Sequence, residues 1–169
     1  KVIRGPQSAG LLLGRKDLVQ AAWVHSAPHH GYARGMKVGR EEVVAMLTAV
    51  ESWVKRDHEA EWKEWVSRAE HIARRVSKIP GITVAVRTES EGRSSPVVSI
   101  RWDPAVLGIT GAEASDILYN SEPRIALGGG GGRGGQTGDT GISLTSSMMA
   151  PGDEKIVAER VYQVLSAKR

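Results

Sequence analysis

The chain has 169 residues, of which 40% are hydrophobic and 25% charged, with a formal charge of +4. That balance suits one globular domain, or a small domain with a piece of another, and excludes a disordered chain. Its apolar runs are too short to cross a bilayer, Arg4, Pro6 and Gln7 interrupt any secretory h-region, and the lack of cysteine excludes disulfides, thiolate metal sites and a cysteine nucleophile. A cytoplasmic location is expected, and no membrane partner.

Residues 8–13 are small and apolar and Gly14 closes them, which predicts a short buried strand. Asp17 is a helix N-cap candidate, with Leu18, Val19, Ala21, Ala22 and Trp23 as the apolar face behind it. HSAPHHGYARG breaks that periodicity with Pro28, Gly31 and Gly35, and predicts a loop. From 40 to 79 the pattern is helical. Val43, Met46, Leu47, Val50, Trp53 and Val54 recur at three- and four-residue steps, as do Trp62, Trp65, Val66, Ala69, Ile72, Ala73 and Val76. The polar string KRDHEAE lies between the two stripes. One continuous helix would be about 60 Å long, more than a small domain is wide. The stretch therefore either kinks near Asp57 or bridges two bodies, and the bridge is the preferred expectation. Ile79-Pro80-Gly81 stops it.

Beyond Gly81, ITVAVRTES and PVVSIRWD alternate apolar and polar residues, with EGRSS as the turn of an antiparallel hairpin. Residues 110–119 predict a short helix capped at Thr110 or Gly111. RIAL and TGISLTS predict two further strands, and a closing helix begins near Asp153. The expected class is α/β overall, with an α+β small domain of two layers. Residues 1–38 are assigned to a different body, 39–80 to the bridging helix and 81–169 to the small domain.

Several motifs carry less than they suggest. GGGGGRGGQTGDTG lacks the Gly-Lys-Ser/Thr ending of a phosphate loop, no helix pattern follows it at once, and it reads as a connector. His25, His29 and His30 have neither a carboxylate nor helical spacing, so no metal site is expected. HEAEW lacks the second histidine of a zinc-protease helix, and the five tryptophans read as core or subunit-contact residues. Charges are interspersed and no base-reading motif appears, so nucleic acid is not an expected partner.

The opening string KVIRGPQSAGLLLGRKDL resembles the segment around the cofactor lysine of fold-type I pyridoxal-phosphate enzymes. Within that group it is most similar to the L-seryl-tRNA(Sec) selenium transferase-like family, including the D-glucosaminate-6-phosphate ammonia-lyases. The turn at Gly5, Pro6 and Gln7, the small residues Ala9 and Gly10, and Gly14-Arg15-Lys16 carry the likeness. ARGMKVGREEVVAML is similar to the family's entry into its interdomain helix, and EPRIAL and DTGISLTSSMMAPGDEKIVAERV to its small domain.

The resemblance implies that Lys1 is the catalytic residue and binds pyridoxal 5'-phosphate as an aldimine. A lysine amine suits that task because its pKa falls when it is desolvated or set near other cations. Arg4 and Gly5 are the expected cofactor-binding neighbours, Arg4 facing a phosphate and Gly5 letting the backbone pass close without a Cβ. Arg34 matches an arginine near the incoming anionic group of the selenium transferases, whose companion arginine is replaced here by Gly31. Arg124 is the expected small-domain guanidinium for a substrate carboxylate.

On this reading the chain is the C-terminal part of a homo-oligomeric enzyme. Residues 1–38 end its large domain, and an N-terminal segment of the same enzyme supplies the rest of the site. The substrate would be a small amino acid or amino sugar acid, and the reaction elimination or deamination. Selenium transfer, transamination and a non-catalytic assembly module are the alternatives.

Overall fold

The computed structural model describes residues 3–88, 95–127 and 139–167. The chain divides into two compact units, Lys1–Asp57 and His58–Arg169.

The first unit contains α1 (Lys16–Val24), a 3-10 turn (Arg34–Met36) and α2 (Arg40–Lys55). None of its described residues is buried. The strand expected at 8–13 does not form, and Leu13 is 79% exposed. A strand requires a neighbour for its backbone N–H and C=O groups, and the described part of this unit offers none. Helix α1 starts one residue before Asp17, with Arg15 at the N-cap. Asp17 instead sits in the first turn, where the Arg15 Nε and Nη2 donate to its two carboxylate oxygens at 2.8 and 2.7 Å. That pairing holds the Asp17 carboxyl below its ordinary range, and its negative charge faces the positive end of the helix.

The helical stretch expected over 40–79 is broken near Asp57, the kink alternative rather than the preferred unbroken bridge, and forms two helices. Helix α2 ends at Lys55, Arg56 takes an extended conformation (φ −72°, ψ 137°), and α3 (His58–Val76) begins two residues later. The break falls in the polar string between the two apolar stripes, where no apolar face ties successive turns to a neighbour. The Arg56 guanidinium lies 5.5 Å from the Trp53 ring centre.

The second unit contains α3, β1 (Ile82–Arg87), β2 (Val97–Trp102), α4 (Pro104–Leu107), α5 (Gly111–Asn120), β3 (Gly141–Thr145) and α6 (Asp153–Ser166). The strands form an antiparallel sheet in the order β1-β2-β3. Register places Val84, Ile100 and Ile142 in one row and Val86, Val98 and Leu144 in the next. Both rows belong to a core completed by Ala69, Ile72 and Val76 of α3, Leu118 of α5, and Val161 and Leu165 of α6. The alternation predicted these inward positions because side chains on a strand face opposite sides in turn. Most of the expected EGRSS turn lies outside the described residues.

Polar contacts fix the edges of this core. At α5, Thr110 accepts from the Glu113 N–H at 3.2 Å and Glu113 accepts from the Thr110 N–H at 2.8 Å, a reciprocal capping box. Trp102 Nε1 donates to the Ile109 carbonyl at 2.7 Å. The buried Arg68 of α3 pairs with Glu64 and donates to the Met149 carbonyl, while the fully buried Ser146 donates to the Trp65 carbonyl at 2.7 Å. These two contacts tie α3 to the turn between β3 and α6. One expected strand is absent here too: residues 124–127 are irregular, and the Ile125 N–H donates to the Leu118 carbonyl of α5 at 2.8 Å.

Two stability outcomes follow from this packing. Ile100→Ala should cost about 2–5 kcal/mol, because Ile100 is fully buried, whereas Thr110→Ala should cost about 1 kcal/mol through loss of the cap; urea unfolding measures both. The Arg75 guanidinium, 2.8 Å from Glu159, holds that carboxyl below its ordinary range. A lowered folded pKa stabilises above the ordinary carboxylate range and ceases to do so as pH falls through the lowered value. The difference in thermal midpoint between the parent chain and Glu159→Gln should therefore shrink on acidification.

Candidate functional site

The expected site residues fall into both units. Lys1 and the glycine-rich stretch 128–135 lie outside the described residues. Arg4 lies in the described part of the opening motif. Its φ of 61° is left-handed, which costs a residue bearing a Cβ roughly 1–2 kcal/mol. The Ala9 N–H donates to the Pro6 carbonyl at 3.3 Å, so the motif does make a tight turn. A Cβ at Gly5 would stand 2.9 Å from Sδ and Cε of Met46, so at this glycine the turn rests against the tip of the Met46 side chain of α2.

Arg34 works within its own loop. Its Nη1 donates to the Pro28 carbonyl at 2.5 Å, and the Ala33 N–H donates to the His25 carbonyl at 2.8 Å. The loop closes tightly enough that a Cβ at Gly31 would fall 2.4 Å from the His25 Cα. In this conformation there is no room for the second arginine that the selenium transferases would carry there. His29 meets Trp23 edge to face at 5.5 Å. Among the described residues no group of His, Asp and Glu is arranged to hold a metal.

Arg124 belongs to the second unit, where it lines a cleft of about 580 Å³ with Leu144, Met148, Met149, Asp153 and Ile156. Its guanidinium lies 5.6 Å from the Tyr119 ring centre and makes no hydrogen bond or ion pair among the described residues. Asp153 accepts from the Ala150 N–H at 2.8 Å, which closes the turn before α6. The cleft thus combines one guanidinium and one carboxylate with an apolar wall, an arrangement suited to a small molecule with a charged head.

Sequence reasoning singled out Arg124 but not the methionines beside it, nor Arg68, which fixes the Met149 backbone. The signal available was SMM directly after a strand pattern, and it is weak. Arg34 offers a direct check of the loop. Arg34→Met should speed amide exchange of the Ala33 and His29 N–H groups by about tenfold, through loss of a charge-assisted hydrogen bond worth about 1.5 kcal/mol; exchange monitored by mass spectrometry reads it.

No family model matches the chain. It is 32% identical over 123 residues to a 5'-C-glycyluridine monooxygenase-decarboxylase of a Streptomyces species, covering 73% of this chain and 30% of that protein. It is 26% identical over 125 residues to the D-glucosaminate-6-phosphate ammonia lyase of Salmonella typhimurium, covering 74% of this chain and 32% of that one. A solved structure of D-glucosaminate-6-phosphate ammonia-lyase matches it with a TM-score of 0.60 at 24% identity, over 90% of this chain and 38% of the other. The chain spans about a third of the length of these curated relatives. It is similar over about three quarters of its length to part of D-glucosaminate-6-phosphate ammonia lyase, the relative its motifs implied, and the mixed α and antiparallel β architecture is the expected class. Both curated relatives are named as enzymes.

Proposed function

We propose that this chain is part of a pyridoxal-phosphate-dependent lyase or transferase that acts on a small amino acid or amino sugar acid by elimination or deamination. The observation that carries the reading is the similarity to an ammonia lyase across about three quarters of the chain, joined to a shared fold. The opening motif supports it. The residues after Lys1 make a tight turn at Pro6–Ala9 and approach α2 at Gly5. When bound, the cofactor supplies an electron sink for charge developing at a substrate α-carbon.

In this reading Lys1 holds the cofactor and, once free, takes or returns a proton at that carbon. Arg4 and Gly5 border the cofactor, Arg4 through a charge and Gly5 through the missing Cβ. Arg34 keeps one nitrogen on Pro28 and offers its remaining donors to an anionic group. Arg124 takes the substrate carboxylate, a task for which its uncommitted guanidinium is suited. The absence of a second arginine at Gly31 favours a lyase over a selenium transferase. The enzyme would be a cytoplasmic homo-oligomer, and a preceding segment of the same enzyme would supply the rest of the site.

Borohydride reduction of the full-length gene product, with loss of visible absorbance and peptide mapping, tests the central assignment. The label should fall on Lys1 and vanish in Lys1→Ala; a colourless protein, or a label elsewhere, would overturn the reading. Arg124→Gln should raise KM for the carboxylate substrate by about 10- to 100-fold, from the loss of a charge-assisted contact, with a smaller change in kcat.

A further inference from the structure

The cleft beside Arg124 is lined, among the described residues, by one cation, one carboxylate and a mostly apolar wall. Leu144 is buried, Leu127 and Met149 pack against the core, and Ile156 and Met148 carry the wall out to water, 51% and 90% exposed. A single exposed apolar side chain is ordinary. Two that rim a cleft around an uncommitted guanidinium are placed for a ligand to cover.

The capacity of this cleft for negative charge is small. A ligand with two anionic groups needs a second cation or a set of free N–H donors. No second cationic side chain lines the cleft among the described residues. The start of α6 borders it, and a helix start ordinarily offers its amides to an anion. Here those donors are engaged within the turn. The Ala150 N–H donates to Asp153 Oδ2 at 2.8 Å and the Gly152 N–H to Glu154 Oε2 at 2.9 Å, while the Asp153 N–H donates to the Ala150 carbonyl at 3.1 Å. Asp153 and Glu154 also place two negative charges on that first turn, which repel an incoming phosphate.

We infer that this cleft selects an amino acid with an uncharged, apolar side chain and rejects one with a second anionic group, and that Met148 is the specificity-determining residue at its rim. This selectivity rests on the role proposed above for Arg124 and adds what the rest of the substrate must be. With the carboxylate on Arg124, the substrate side chain covers Leu144, Ile156 and Met148, whose unbranched thioether can follow ligands of different shape. A phosphate or second carboxylate would have to share Arg124 with the first carboxylate and would meet Asp153 besides. Of the two substrate classes proposed, the apolar wall favours the amino acid over the amino sugar acid, whose hydroxyls it would leave without partners.

Calorimetric titration of the full-length gene product with racemic alanine, norleucine and O-phosphohomoserine tests this without turnover. Each methylene taken out of water is worth about fourfold in affinity. Norleucine should therefore bind about tenfold more tightly than alanine, short of the full gain for three methylenes because the rim stays in water, and about tenfold more tightly than O-phosphohomoserine. Met148→Arg, at an exposed position, should cancel the preference for norleucine over alanine and tighten O-phosphohomoserine by about tenfold. Met148→Leu should keep the parent order. Arg124→Gln should weaken norleucine and alanine by the same factor, since both present a carboxylate. Equal binding of norleucine and alanine, O-phosphohomoserine binding as tightly as norleucine, or indifference to Met148→Arg would overturn the inference. So would a failure of all three ligands to bind a protein whose Lys1 is labelled by borohydride, which leaves the cofactor reading standing. Norleucine and alanine binding untouched by Arg124→Gln would overturn it at its base, in the carboxylate assignment. Dependence on Arg124 without any gain from chain length would overturn the selectivity alone.

Discussion

The second unit depends on one apolar layer that runs across all three strands. Val84, Ile100 and Ile142 stand in register there, in the same core as Ile72 and Val76 of α3 and Val161 and Leu165 of α6. Three strands alone expose one whole face, and helices alone leave their stripes in water. Each element becomes stable by covering the other. The central strand contributes Val98, Ile100 and Trp102 to this layer, so a polar residue at any of them would open the sheet and the helical layer together.

Polar groups then decide where the apolar layer stops. Arg68 and Ser146 are buried, yet both reach backbone carbonyls, Met149 and Trp65 respectively. A buried guanidinium without partners would be strongly destabilising. Here it satisfies the Met149 carbonyl of the turn that carries Met148 and Met149 into the cleft beside Arg124. The chemistry of that cleft therefore rests on a contact made from a helix outside it. Arg124 itself is left without a hydrogen bond among the described residues, which suits a ligand-facing role better than a structural one.

The first unit obeys a different logic. Its described residues include no buried side chain, and its packing consists of a turn resting on α2 and a loop held by Arg34. Hydrophobic residues are present in number, but too few elements are there to cover them. Surface of this kind stabilises through association, whether with another copy or with further polypeptide. The same economy explains why residues 8–13, apolar as any strand, stay irregular.

Local pattern by itself determined much of this protein. The alternation of β1 and β2, the existence of β3, a cap at Thr110 or Gly111, the start of α6 near Asp153 and the stop at Pro80-Gly81 were all legible, because each is set by a side-chain period of two or by hydrogen bonds within a few residues. The opening motif likewise pointed to the relatives, since short chemistry-bearing strings survive without tertiary context. Tertiary structure alone decided the rest. Whether 8–13 and 124–127 became strands depended on a neighbouring edge that periodicity cannot see. Whether 40–79 ran on as one helix depended on whether anything apolar supported it at Arg56 and Asp57. The companions of Arg124 in the cleft, Met148 and Met149, come from beyond the next strand, and proximity across such a chain interval is fixed only when the core closes.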